Sequence, residues 1–441
     1  MSRTFRTFLL TFATLLAVGV SLNAQDGAYS SYSPYSVFGV GDLYNGASAR
    51  SRGMGGVGIA SRNRRFVNYM NPAAVTARDT LSFMMDFGLS SENKIFKQNN
   101  LTSANNTFNI NDIVISFPLF PKTAMMVGLK PFSSVGYDFT HYVKDPAIIG
   151  ETGSIAYSSS GNGSIYELFA AFGAKLGNEV SLGVQGMYYF GNIDKNTEMN
   201  FSSSTQRDIS SGYIIQMSSL GAKVGAQWEH RLSSETSFSI GATYKFGTKT
   251  GGYVTDYQYA TLSSIRDTLR YNIDTLHKTK NLSMGSELGV GFALKGGDRW
   301  IAEFDYIRSD WTKSNMDKVA GFANVGEVIF TPAVANEFRA GFEITPNRND
   351  LRHTLRRWTY RGGAYFKQSY YQLNGVSVGA VGVTAGFTIP VTFRGLLNGI
   401  TFGVDIGQKG TLTGVQTRER YAFFNIGFNI HDIWFVKTLY E

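Results

Sequence analysis

Cysteine is absent from the 441 residues, so neither a disulfide nor a thiolate–zinc site holds this chain together. The five histidines, His141, His230, His277, His353 and His431, contain no His-x-x-x-His pair, and all fall in expected loops, turns or the C-terminal tail. No orienting partner stands beside any of them, so lipase- or acyltransferase-type chemistry has no nominee and the chain is read as a non-enzyme without a cofactor or metal. Beyond residue 20 there is no run of about eighteen apolar residues, which excludes helical membrane spans. Lys and Arg are scattered and form no tract interleaved with aromatics, which excludes a nucleic-acid surface. Proline is scarce at 9 residues, which leaves long stretches of backbone free to pair in a sheet.

The first residues have the layout of a secretory leader. Arg3 and Arg6 precede an apolar stretch from Phe8 to Val20, and Asn23-Ala24 followed by Gln25 offers a cleavage point after Ala24. Leu22, at the −3 position, is larger than the usual small residue. Removal of residues 1–24 leaves 417 residues and lowers the net charge from +8 to +6, because two arginines are lost with the leader. That charge suits contact with anionic lipid headgroups or an acidic ligand.

The remainder is rich in glycine (49), phenylalanine (33) and tyrosine (24), as a closed sheet with tight turns and aromatic girdles requires. Downstream of residue 79 the polarity alternates with period two. Phe83, Met85, Phe87 and Leu89 point one way and Ser82, Asp86, Gly88 and Ser90 the other. The same alternation places Phe304 opposite Glu303 and Asp305, and Phe338 and Phe342 opposite Arg339 and Glu343. In a soluble sandwich the apolar face would pack a dry core; here it would meet lipid, with the charged face lining a lumen. Short connections near 118–122, 177–178, 230–235, 295–298, 346–356 and 390–398 alternate with seven mostly longer polar stretches, 92–107, 138–162, 192–210, 248–279, 312–333, 373–375 and 407–417. That rhythm predicts an all-β, transmembrane antiparallel barrel of about fourteen strands over residues 79–441, with short periplasmic turns and both chain ends on the periplasmic side. Trp434 and Phe435 follow the last strand as an interfacial anchor.

Residues 25–78 do not alternate. They carry tyrosines, a glycine run and Asn71-Pro72-Ala73, and their apolar residues Phe38, Leu43, Val57, Ile59, Phe66 and Met70 need burial. Such a segment before strand one predicts a hatch in the lumen. Gly53-Met54-Gly55-Gly56-Val57-Gly58 fits G-x-G-x-x-G, but no βαβ unit surrounds it, so it is no dinucleotide site. Proline fixes φ at position 72, and the Asn71 side chain can close an Asx turn, so the unit makes a stiff corner.

Arg52-Gly53-Met54-Gly55-Gly56-Val57-Gly58-Ile59-Ala60, followed by Asn71-Pro72-Ala73 and a strand from about Thr80, resembles the FadL-like outer-membrane transporters of long-chain fatty acids. The resemblance covers the mature chain in architecture and residues 50–90 in motif. It implies an N-terminal hatch built on Gly53, Gly55, Gly56, Gly58, Asn71, Pro72 and Ala73 in a fourteen-stranded barrel. It also implies passive diffusion of a hydrophobic compound past that hatch, with sideways release through the third strand. There Gly128 and Pro131 mark the expected opening, since proline cannot donate to the ladder. Phe132, Tyr137, Phe139, Tyr142 and Tyr157 are candidate ligand contacts on the outer side, with Arg361 and Lys367 for a carboxylate. Arg62, Arg64 and Arg65 are candidates for an acidic headgroup. The expected partners are a hydrophobic small molecule, outer-membrane lipid and lipopolysaccharide, with the protein a monomer in the outer membrane of a Gram-negative cell. Two other roles fit the same strands: a docking or secretion-system barrel, and a diffusion porin with an open lumen. Deleting residues 25–78 is predicted to turn a closed barrel into a leaky pore; planar-bilayer conductance no greater than that of the full chain would contradict a plug.

Overall fold

The computed structural model describes residues 31–44, 46–79, 81–143, 154–203, 205–262, 267–278, 282–318, 322, 328–350, 352–393 and 396–433. The leader and the Trp434–Phe435 anchor lie outside them. Fourteen strands make the wall: β1 Ser82–Gln98, β2 Leu101–Phe120, β3 Thr123–Tyr142, β4 Ile155–Leu176, β5 Val180–Phe201, β6 Asp208–Arg231, β7 Thr236–Lys245, β8 Ser286–Gly296, β9 Trp300–Asp310, β10 Val334–Ile344, β11 Thr359–Leu373, β12 Val376–Phe393, β13 Leu396–Lys409 and β14 Arg418–Ile433. Each pairs antiparallel with the next, and β14 returns to β1 from Ser82↔Ile433 to Lys97↔Arg418, closing the barrel. The expected fold and strand number are borne out.

The period-two reading of the faces holds along the wall. Asp86, Glu303, Asp305, Arg339, Glu343 and Asp405 are buried on the inner face. Phe304, Phe338, Phe342, Phe366, Val383 and Phe424 stand outward and exposed. An outward belt of this kind is stable only against hydrocarbon, which makes this a membrane barrel.

Three expectations are corrected. Stretches 92–107, 138–162, 192–210 and 248–279 were expected as polar loops, but most of their described residues are strand. β1 and β2 meet at Gln98↔Leu101, and the pair Gly251–Leu262 and Asp267–Lys278 forms a further hairpin that extends the outer half of β6. Backbone pairing continues past the lipid, where the apolar face that marks a strand in sequence is no longer needed. Second, His141, His230, His277 and His431 sit in strands, and the buried His431 imidazole lies 3.5 Å from Asp79. Third, the described chain does not begin at the short-turn end. Lys94, well along β1 toward its outer end, donates to Ser31 Oγ, and Tyr35 Oη donates to the Thr417 carbonyl in the connection before β14. From there residues 31–79 descend through the barrel to β1 at the short-turn, periplasmic end.

Candidate functional site

The wall between β2 and β3 is incomplete. Their ladder runs from Phe120↔Thr123 only to Ile113↔Leu129. A register shift in the β1–β2 ladder at Asn111 turns β2 aside. On the other lip Pro131 has no N–H to give, and a second register shift at Phe132 bends β3 against β4. Gly128 is still inside the ladder, opposite Val114, and a methyl there would crowd the Phe169 ring; the gap opens just beyond it.

The vacant edge of β3 is taken up by the N-terminal segment. Asp42 and Leu43 form a two-residue strand against Ser134 and Ser133, and the Tyr44 N–H donates to the Phe132 carbonyl at 2.9 Å. Further out, Ser33 N–H donates to the Gly136 carbonyl and Tyr32 Oη to that of Asp138. Gly41 approaches so closely, at φ +88°, that a side chain there would overlap the Ser134 carbonyl. The part-buried Tyr44 hydroxyl donates to Asn111 Oδ1 at 2.8 Å. On the lipid side of this seam a recess of about 320 Å³ is lined by Phe108, Ile110, Leu129, Pro131 and Tyr166. Tyr44 and Lys130 form its back and also line a lumen cavity of about 290 Å³.

Below the seam the glycine run and the Asn71-Pro72-Ala73 corner dock on the inner wall. Gly55 and Gly56 adopt φ of +72° and +84°, and Met54 lies on Gly341 and Gly363, whose missing side chains make room for it. Gly55 N–H donates to Thr384 Oγ1, and Gly58 and Ile59 N–H both donate to Asp305 Oδ2, at 2.7 and 3.0 Å. Gly53 packs against Gly386 and the Arg361 side chain. Asn71 accepts from Ala73 N–H at 3.0 Å, which starts the 3-10 turn Pro72–Thr76, and donates to the Ile59 and Ala226 carbonyls. Pro72 rests on Gly183 of β5 and Gly225 of β6.

Buried charge fastens the same segment. Glu343 on β10 accepts from Arg50 at 2.9 Å and from Arg361 on β11 at 2.7 Å, with Phe66 under both guanidinium groups. Arg62 donates to Glu229 and Gln227 on β6, and Arg339 to the Gly56 carbonyl. Arg52 donates to Asn425 on β14. Arg361 therefore cannot serve a ligand carboxylate, as the sequence reading had it: its side chain is fully covered and already paired. Lys367 does line the lumen cavity, beside Tyr365. Phe132 and Tyr137 are buried, Phe132 edge-on to Tyr189, whereas Phe139, Tyr142 and Tyr157 stand exposed near the outer rim, so the candidate contacts do not converge on one pocket. Arg64 is exposed and Arg65 lies 3.9 Å from Asp298. Sequence reasoning missed Asp42–Tyr44, Arg50 and Arg52. Two arginines beside the glycine run were the available signal, since a segment bound for a carboxylate-lined lumen needs cations.

A family model described as BamG matches residues 4–441. The chain belongs to the BamG family. No curated protein sequence matches this BamG-family chain. Its fold is shared with solved FadL-like barrels. The CymD monoaromatic hydrocarbon channel is 14% identical, with 87% of this chain and 97% of that one covered and a TM-score of 0.57. The Ralstonia pickettii toluene transporter TbuX is 13% identical over 87% and 98%, with a TM-score of 0.56. A FadL homologue of Pseudomonas aeruginosa is 10% identical over 87% and 98%, with a TM-score of 0.58. At these identities the likeness is one of architecture, and the FadL-like fold expected from the sequence is borne out.

Removing one partner of a buried ion pair strands the other, at a cost of about 3–5 kcal/mol. Glu343→Ala should therefore loosen residues 31–78 from the BamG-family barrel. The expected result is proteolytic clipping within that segment while the heat-dependent gel shift of the barrel persists; an uncut segment would contradict the role given to Glu343.

Proposed function

We propose that this barrel passes small hydrophobic compounds, long-chain fatty acids among the candidates, into the outer membrane through the seam between β2 and β3. The observation that carries the reading is the interrupted ladder beyond Ile113↔Leu129, with its apolar recess facing lipid. An apolar cavity of about 150 Å³ accepts benzene, so a recess of about 320 Å³ has room for a monoaromatic ring or a length of acyl chain. The names of the similar structures, toluene transporters and a hydrocarbon channel, point the same way. In this reading residues 31–78 act as the hatch, and Asp42–Tyr44 are its seal at the exit. Movement of that short strand opens the path, and no chemical step is required. A diffusion porin fits poorly, because the N-terminal segment fills the lumen from Tyr35 to Asn71.

A second reading, a barrel that serves as a docking platform, is favoured by the lumen cavity itself. Its lining carries fifteen charged side chains, including Lys94, Lys130, Glu167, Glu287 and Glu419, a poor route for an apolar solute.

The chain has no cysteine, so a designed pair is unambiguous. Leu43→Cys with Ser133→Cys joins facing residues of the seam. Oxidation is expected to abolish gene-dependent uptake of labelled fatty acid or toluene, and reductant to restore it. Uptake unchanged by the disulfide would overturn exit through the seam, and uptake unchanged by loss of the gene would favour the platform.

A further inference from the structure

Among the described residues, the connection between β10 and β11 is longer than the tight turns at 121–122, 177–179, 232–235 and 297–299. Its residues 345–350 and 352–358 form a folded knuckle, and the sequence there carries four arginines, Arg348, Arg352, Arg356 and Arg357, against the single Asp350. Its shape is fixed from within. Asp350 Oδ1 accepts from the Arg352 and His353 N–H groups at 2.9 Å each, Asn347 N–H donates to the Arg356 carbonyl at 2.8 Å, and Trp358 stacks on Phe387. The knuckle then presents Leu355, 61% exposed, amid the arginines.

The surface continues into the barrel mouth. Asp298 lies within 4 Å of three cations, Arg65 at 3.9 Å, Arg348 at 3.6 Å and Lys295 at 3.7 Å, so one carboxylate joins the N-terminal segment to the knuckle and leaves a positive excess. Arg64 beside it is exposed. Lipid headgroups reach only the outer rim of a barrel, whereas Arg64 and Arg65 stand in its mouth, which is approached from the periplasm. The occupant favoured by position is therefore soluble, and by charge it is acidic.

We infer that the knuckle 345–358 together with Arg64 and Arg65 is a docking surface for an acidic segment of a periplasmic protein. An exposed leucine ringed by arginines matches an acidic segment bearing an apolar residue: charge sets encounter and register, and the apolar contact is desolvated on docking. This deepens the platform reading and is independent of solute passage, whose test uses different residues, so each can fail alone.

The test uses the full chain in zwitterionic nanodiscs and a labelled twenty-residue glutamate-rich peptide containing one leucine, with a glutamine-for-glutamate peptide as control. The glutamate peptide should bind and the glutamine peptide should not, with affinity falling steeply as salt shortens the Debye length from about 10 Å at 0.1 M to about 3 Å at 1 M. Arg64→Glu with Arg352→Glu should weaken binding by about tenfold or more. Arg64→Lys with Arg352→Lys should retain it, as should Lys97→Glu at the opposite end. The heat-dependent gel shift confirms that each variant is folded. Equal binding of both peptides, no loss in the double charge reversal, or an equal loss in Lys97→Glu would overturn the proposal. So would abolition of peptide binding by phosphatidylglycerol in the nanodisc, which would assign the arginines to lipid.

Discussion

A backbone N–H or C=O left unpaired in hydrocarbon costs several kcal/mol, and a barrel escapes that cost by closing on itself. This barrel closes at β14–β1 yet leaves a gap in its own wall, because the shifts at Asn111 and Phe132 and the missing proline N–H part β2 from β3. What completes the edge of β3 is the N-terminal segment, through Asp42, Leu43 and Tyr44. The segment is thus part of the wall as well as an occupant of the lumen. The glycine contacts, the Asn71 corner and the arginine pairs can all be read as means of holding that short strand in register.

The same segment sorts the charges. Two wall carboxylates are paired by arginines of the segment: the buried Glu343 by Arg50, beside Arg361 of the wall, and the part-exposed Glu229 by Arg62. Above, the cavity is left with lysine–glutamate pairs such as Lys130–Glu167 and Lys245–Glu287, which span neighbouring strands. Apolar surface is concentrated on the lipid side of the seam. Any compound that uses the opening therefore meets a greasy exit and a charged interior, and the two environments are divided by Tyr44 and Lys130.

How much of this was legible in the sequence follows from the physics of each part. Strand number could be counted because a wall between lipid and lumen forces the alternation seen at Phe304/Asp305 and Phe342/Glu343, and tight turns need residues such as Gly177 and Gly297 at positive φ. The outer extensions were misread as loops because a sheet with solvent on its outer face no longer needs an apolar side; Ser158–Ser160 and Asn192–Thr197 look like loop in sequence. Pro131 was visible, as proline always is, but the second lip at Asn111 was not, since a bulge needs no particular residue. Arg361 was misjudged because sequence does not tell which inward cation the hatch has already neutralised. The course of residues 31–44 was illegible for a related reason: it is set by the vacant edge of β3, and pairing with a distant strand leaves no local pattern.

Hydrogen–deuterium exchange of the full chain in nanodiscs tests the central claim most directly, that residues 42–44 are a standing part of the wall. The account predicts that the Tyr44 amide, donated to the Phe132 carbonyl, exchanges within about tenfold of neighbouring β3 amides and far more slowly than the exposed residues of the 345–358 turn. Exchange of residues 42–44 at the rate of an unstructured chain would contradict it.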